Sequence, residues 1–450
     1  MLKKILNQKV KPMKQKNKQN RPFKMLMLGC TTALVAGTLI ISQPAYSQEE
    51  AVEKPGMAIS VRNASTLPLS IFIRRVWQDS PIMQEAEVKV KMAGAQKKAA
   101  SKWMYNPEVE FGFEDKDGAT ESKTVGISQT IDWSGKFLAS GKVAKFELQA
   151  AAAERDQIRQ SLAVDVLSAL SDYQAAGEIL ELSSRRTALM NSFASLAKKG
   201  FKAGDIEQSE YNLARLAYSE ALIQNADAET ELAGSREELE SAIGFSSSAI
   251  SALPNLPEAL PEIMSDNKSV EELITNLPEM RMLQSQKEAS KAAISRARRD
   301  RIPDPTIRIA GGKDEGSNVV GLSVSIPLNI FNTYGNEVDV AKYRTTAQEK
   351  SLQSAFHSAK SRLSSSKRSY ELASRAWNTW QENGANALAE QINILSRKYK
   401  VGDLSATNYL VQVQQTLNTE IAAKELHSKA WKAWFAWIKA SGNIEQWLGE

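Results

Sequence analysis

Residue types that carry metal and nucleophile chemistry are scarce in this chain. One cysteine, Cys30, and two histidines, His357 and His427, stand among 450 residues. Zinc and copper sites want closely spaced nitrogen or sulfur donors, and histidines 70 positions apart do not offer them. Both histidines read as decorations of helices. The stretch "AGGKDEGS", residues 310–317, has glycines and a lysine but lacks the spacing of a phosphate-cradling loop, and a strand accounts for it better. No set of nucleophile, base and orienting group is visible. The expectation is a protein that is not an enzyme and carries no cofactor or resident metal.

Charge points the same way once it is placed along the chain. The formal net charge is +5, yet nine of the 57 basic residues fall within residues 1–47, which hold no acid. An apolar run, "MLMLGCTTALVAGTLIIS" at residues 25–42, follows directly and leads to Ala45, Tyr46 and Ser47. A basic region, an apolar region and a small-x-small site read as a secretory signal covering 1–47, with Gln48 as the mature start. Without it, 48 basic residues face 52 acidic ones, so no nucleic-acid partner is expected. Cys30 lies in "MLGC", a partial match to a lipoprotein cleavage box, but the apolar run continues well past it. A lone cysteine supports no disulfide framework. Past the signal, no stretch reaches the roughly 20 apolar residues of a membrane-spanning helix.

Positioning is where the sequence becomes informative. "KKGFKAGDIEQSEY", residues 198–211, and "RKYKVGDLSATNY", residues 397–409, write nearly the same turn 198 residues apart. Gly204 and Gly402 suit the left-handed residue that ends a helix, and Asp205 and Asp403 suit the N-cap of the next, with Gln208 completing a capping box after Asp205. Lysines and arginines before each glycine lie where the helix dipole favours cations. The offset holds elsewhere. Pro81 answers to Pro278, "NPEVEFGFEDKDG" from Asn106 to "DPTIRIAGGKDEG" from Asp304, "VGISQTIDW" to "VGLSVSIPL", and Gly135 to Gly335. The chain therefore reads as two tandem repeats, 48–250 and 263–450, joined by a Pro-rich junction at 251–262.

Each repeat has one plan. A helix (about 80–103, then 269–301) precedes a pair of short alternating strands. Val109, Phe111 and Phe113 oppose Glu108, Glu110, Gly112 and Glu114, and Val320, Leu322, Val324, Ile326 and Leu328 oppose Gly321, Ser323 and Ser325. A long uninterrupted helix follows, from about Lys136 to Lys199 and from about Asn336 to Lys398, of the order of 90 to 95 Å at 1.5 Å per residue. Ile158, Leu162, Val166, Leu170, Tyr173 and Leu180 give it a coiled-coil-like seam. A helix returns from each turn, so each repeat makes a helical hairpin with its tip at Gly204 or Gly402. In the last helix, Trp431, Trp434, Phe435 and Ile438 share a face suited to core packing.

Four amphipathic strands cannot stand open in lipid, because every edge N–H and C=O would be unsatisfied. Closure needs about eight strands or more, and three chains pooling four each reach twelve. The fold class expected is mostly α with a small β part: two tandem repeats, each giving a β-hairpin and a long α-helical hairpin, with the strands contributed to a barrel that several chains share. Glu108, Glu110 and Glu114 would then line the barrel lumen and favour cations.

These residues resemble the TolC-like outer-membrane factors, the outer membrane efflux protein family, and within it the cobalt-zinc-cadmium efflux branch. The matching motifs are "NPEVEFGFE" with "VGISQTIDWSGK", "RIPDPTIRIAGG" with "GLSVSIPLNIFNTYGN", and the paired "FKAGD" and "YKVGD". The resemblance implies a homotrimer with a shared 12-stranded outer-membrane β-barrel and a periplasmic α-helical tunnel, the exit duct of a tripartite efflux system in the outer membrane of a Gram-negative bacterium, extending into the periplasm. It implies as partners outer-membrane lipid, a periplasmic adaptor (a membrane fusion protein) and an inner-membrane pump of the RND type, with heavy-metal cations as cargo. It assigns adaptor docking to Gly204, Asp205, Gly402 and Asp403, and a tunnel-mouth constriction to Tyr399, Glu210 and Asn408. Leu404 and Asn408 depart from TolC itself, which has an arginine and an aspartate there, so its gate chemistry does not transfer whole. A duct for type I protein secretion or drug efflux, or a secreted coiled-coil scaffold without a pore, are the alternatives, and the scaffold leaves the paired strands unexplained.

Overall fold

The computed structural model describes residues 68–116, 120–245, 253–263, 269–314 and 316–449, and the signal segment and Cys30 lie outside them. The element order repeats. Helices α1 (Leu69–Asp79) and α2 (Pro81–Ala100) lead into strands β1 (Glu108–Lys116) and β2 (Thr120–Thr130), then the long helix α3 (Lys136–Ala203) and its return α4 (Gln208–Ile243). After the junction, α5 (Val270–Asn276) and α6 (Pro278–Asp300) lead into β3 (Thr306–Asp314) and β4 (Ser317–Ser325). The helices α7 (Gly335–Asn383), α8 (Ala385–Lys400), α9 (Ala406–Ser441) and α10 (Ile444–Leu448) complete the chain.

Three boundaries differ from the sequence reading, each through backbone chemistry. The helix expected over 269–301 is broken at Leu277 (ψ 139°), as α1 and α2 part at Ser80 (ψ 127°), because Pro278 and Pro81 open the next helix and push the residue before them into extended conformation. Strand β4 stops at Ser325, so Ile326 and Leu328 lie beyond it; Pro327 has no amide to extend the ladder. The second long helix is interrupted for one residue at Gly384, where the Trp380 ring fills the space a Cβ would need, 2.2 Å from its position. Its counterpart α3 is unbroken over 68 residues, about 100 Å.

Apolar residues on the facing helix surfaces make three cores. The largest joins α1, α3, α9 and α10 around Phe72, Leu167, Leu170, Trp431, Trp434, Phe435 and Ile438, so the tryptophan-rich last helix is core. The proline-rich segment 253–263 is strapped across it by side-chain donors that supply what prolines cannot. Gln174 donates to the Pro254 carbonyl (2.7 Å), Trp431 to Pro257 (3.2 Å) and Trp377 to Glu258 (3.3 Å), and Tyr370 bonds the carbonyl of Pro261. A second core of Met190, Phe193, Tyr409, Leu410 and Val413 sits near the tips, and a third joins α5, α6 and α7.

Candidate functional site

Two features are built by both repeats: one four-stranded sheet and two hairpin tips. The sheet is antiparallel in the order β1-β2-β3-β4, so the two hairpins join side by side through β2 and β3. Among the described residues, β1 and β4 are paired on one side only. Register aligns the apolar positions in rows: Val109, Ile127, Ile309 and Leu322 in one, Phe111, Val125, Gly311 and Val320 in the next. Among the described residues, none covers them. Phe111 is 80% and Val320 84% exposed.

The opposite face is polar. Glu108 shares a row with Ser128, Arg308 and Ser323, and Glu110 and Glu114 lie on the same face. Glu110 is tied to Arg308 (2.9 Å) and accepts from the Ser128 hydroxyl (3.0 Å). Glycine and alanine at 126, 310 and 321 keep the Glu110 row short.

Where the sheet meets the helices, a buried ion pair that sequence reasoning missed fixes the junction. Asp304 accepts from Lys136 Nζ and from the Tyr105 hydroxyl, each at 2.8 Å, and the two charged side chains are 4% and 9% exposed. Burial, then the bond to Asp304, push the Tyr105 phenol up to about 12. Asp132 receives the amides of Lys136 and Phe137, both at 2.8 Å, closing the first turn of α3. Burial opposes its charge, but these amides outweigh that and hold the carboxyl below its ordinary value. The only sequence signal was the repeated X-Pro motif, Asn106-Pro107 and Asp304-Pro305.

At the far end the two tips superimpose in hydrogen-bond pattern. Gly204 and Gly402 have φ of 79° and 83°. Asp205 N donates to Gly200 O (2.9 Å) and Asp403 N to Lys398 O (3.0 Å), with Gly204 N to Phe201 O and Gly402 N to Tyr399 O at 3.2 Å. This is the Schellman ending of a helix. The aspartates are not the N-caps. Those are Glu207 and Ser405, two residues further on, and only Ser405 caps through its side chain, accepting from Asn408 N at 3.3 Å. The Schellman bonds use the amides of Asp205 and Asp403, which keeps both residues in the turn, with their side chains exposed. Gln208 opens α4 and pairs with Asn212, so no capping box forms.

Tyr399 packs between Phe193 (5.3 Å) and Tyr409 (4.8 Å). Burial, with Glu210 and Tyr409 nearby, raises its phenol, so the fold brings Tyr399 and Glu210 together, while Asn408 is exposed in the first turn of α9. Leu404, the departure from TolC, packs on the tip core, as Ile206 does in the other repeat.

Among the described residues, no group of three or more His, Cys, Asp or Glu side chains could hold a metal ion, and no helix is long and apolar enough to cross a membrane. His427 stacks on Trp377 (4.3 Å) beneath the strap, and its Nε2 lies 3.1 Å from the Glu258 carbonyl.

This combination of a small exposed sheet on long paired helices is the fold of the outer-membrane efflux channels. The crystal structure of CusC, described as revealing transmembrane channel formation, matches with a TM-score of 0.71 at 15% identity, over 88% of this chain and 98% of that one. Residues 72–245 match the family model for outer membrane efflux protein. The nickel-cobalt-cadmium resistance protein NccC of Alcaligenes xylosoxydans xylosoxydans is 26% identical over 310 residues, 65% of this chain and 68% of the relative. The cobalt-zinc-cadmium resistance protein CzcC of Cupriavidus metallidurans is 24% identical over 250 residues, 55% and 60% respectively. The chain is therefore similar to outer membrane efflux proteins over residues 72–245, shares the fold of solved outer-membrane channels, and has metal-resistance proteins among its relatives.

Proposed function

We propose that the protein is the passive exit duct of a tripartite efflux system for heavy-metal cations. Three copies close a twelve-stranded barrel in the outer membrane, and their hairpins form a tunnel through the periplasm. One observation carries this reading: a sheet of strands 9 to 11 residues long, apolar on a bare face and open at both edges, mounted on a helix of about 100 Å. Strands of about that length span a bilayer when tilted, and lipid tolerates only a closed sheet. The polar face then lines the lumen, where Glu108, Glu110 and Glu114 favour cations.

Gly204, Asp205, Gly402 and Asp403 meet a periplasmic adaptor, which links the duct to an RND-type pump, and Tyr399, Glu210 and Asn408 lie at the tunnel mouth. The metal cargo is supported by the names of the relatives, NccC and CzcC. The test is assembly and conductance. Detergent-extracted protein should run as a trimer and conduct in planar bilayers, and cells lacking it should become sensitive to nickel, cobalt, zinc or cadmium. A water-soluble monomer without conductance would end the duct reading; unchanged metal tolerance would end the cargo assignment.

A further inference from the structure

All four strands meet the helices at one rim, because β1 and β3 begin there and β2 and β4 end there. The two repeats cross that rim differently. The first passes from β2 to α3 in five residues, 131–135, and the second from β4 to α7 in nine, 326–334. Both connections end on a left-handed residue, Gly135 (φ 72°) and Tyr334 (φ 54°), so the second repeat's counterpart of Gly135 is Tyr334 and not Gly335.

The longer connection is built inside out. Its polar side chains turn back on the protein: Asn329 donates to the Arg301 carbonyl (3.0 Å), and Asn332 accepts from Tyr334 N (2.9 Å) and donates to Glu337 (3.4 Å). A bond from Ile330 N to Leu328 O (2.9 Å) tightens the turn between them. Its apolar side chains point away, with Leu328 73%, Ile330 70% and Phe331 103% exposed. A loop meant for water would have the opposite arrangement, and single exposed apolar residues are ordinary where a fixed cluster is not.

The surroundings of this cluster define its cover. It follows directly on β4, whose Val320, Leu322 and Val324 belong to the bare apolar face. The same rim carries exposed Trp103 and Trp133, and the Trp133 indole is anchored to the Pro303 carbonyl (2.8 Å). Exposed cations, Lys102 and Arg301, flank them. Aromatic rings with nearby cations at the end of an apolar band are the composition of a membrane–water interface, where anionic headgroups meet acyl chains.

We propose that residues 326–334 form a lipid-seating loop: Leu328, Ile330 and Phe331 enter the periplasm-facing leaflet at the boundary between phosphate headgroups and acyl chains and set the depth at which the sheet sits. This rests on the outer-membrane reading above. The alternative cover is a neighbouring copy, whose β1 would adjoin β4 in a closed barrel.

The test is a spin label on Phe331→Cys in the full chain, reconstituted in phosphatidylethanolamine–phosphatidylglycerol vesicles, with the same label on Val320→Cys as reference. The unsubstituted chain gives the labelling background of Cys30. Collisions with oxygen should exceed those with a water-soluble nickel chelate at both positions, by several-fold at 320 and less at 331, as befits a shallower site. A label at 331 that favours the nickel chelate while 320 favours oxygen overturns the loop and spares the barrel. An immobile label at 331 shielded from both reagents, or crosslinking between copies through it, assigns the cluster to the neighbouring chain and overturns the proposal. Water exposure at both positions removes the barrel reading itself. As a second measurement, the triple variant Leu328→Ser, Ile330→Ser, Phe331→Ser should keep its trimer in detergent but be extracted from membranes by urea several-fold more readily; unchanged extraction counts against the loop.

Discussion

Removing the Asp304 carboxylate should loosen the sheet from its helices more than any other single change at that junction. Asp304 leads into β3, Lys136 opens α3, and Tyr105 precedes β1, so one carboxylate ties three segments from both repeats. In Asp304→Ala the Lys136 ammonium stays in a site where its side chain is 9% exposed, without the carboxylate it pairs with, and the Tyr105 hydroxyl loses its acceptor. Stranding one partner of a buried pair costs about 3–5 kcal/mol, and an unmade bond to a buried hydroxyl adds about 1 kcal/mol or more. The loss should therefore be at least ~3 kcal/mol. Lys136→Met placed on top of Asp304→Ala removes the stranded charge, so the double variant should be more stable than Asp304→Ala alone by ~2 kcal/mol or more. Urea unfolding of the detergent-solubilised protein, followed by circular dichroism at fixed detergent, gives all four corners of the cycle. A loss under ~1 kcal/mol, or additivity of the two changes, would place the pair with solvent-screened surface bridges and refute the reasoning.

Further outcomes can be checked independently. Gly204→Val with Gly402→Val meets no steric neighbour at either tip, so its cost is the left-handed backbone alone, ~1–2 kcal/mol per site; trimers should form normally while adaptor crosslinking and efflux fall, and full efflux would reduce the tips to plain turns. Burial under the strap lowers the His427 pKa, with Glu178 and Glu258 opposing and Lys424 assisting. A depressed folded value means that its stabilising contribution is complete above the unfolded value of about 6.5 and is lost as pH falls through the folded one. Thermal melts from pH 7 to 5 should decline more steeply for the parent than for His427→Gln, and parallel curves would contradict this. Gly312→Val should disrupt the sheet outright, because a Cβ there would lie 1.9 Å from the Lys123 carbonyl oxygen; heat-modifiable gel mobility of the trimer would report the loss.

Much of this architecture is local chemistry and is legible in the sequence. Glycines that must take positive φ, prolines that open helices, strict alternation in 109–114 and the three- and four-residue seam of α3 each act within a few residues, so the repeats, hairpins and tips follow from the order of residue types. Capping was legible in kind but misplaced. The Schellman turn uses two more residues than the glycine alone suggests, which moved the caps from Asp205 and Asp403 to Glu207 and Ser405. Contacts across the repeats were not legible. That Asp304 would meet Lys136, 168 positions away, or that Trp377, Trp431 and Tyr370 would hold the carbonyls of the 253–263 strap, depends on how helices pack, and packing is set by the whole set of facing surfaces at once. Sequence alone determined the periodic elements and their duplication, because those forces are short-ranged; tertiary structure alone decided which buried charges, straps and bare apolar surfaces came together, because burial is a property of the assembled chain.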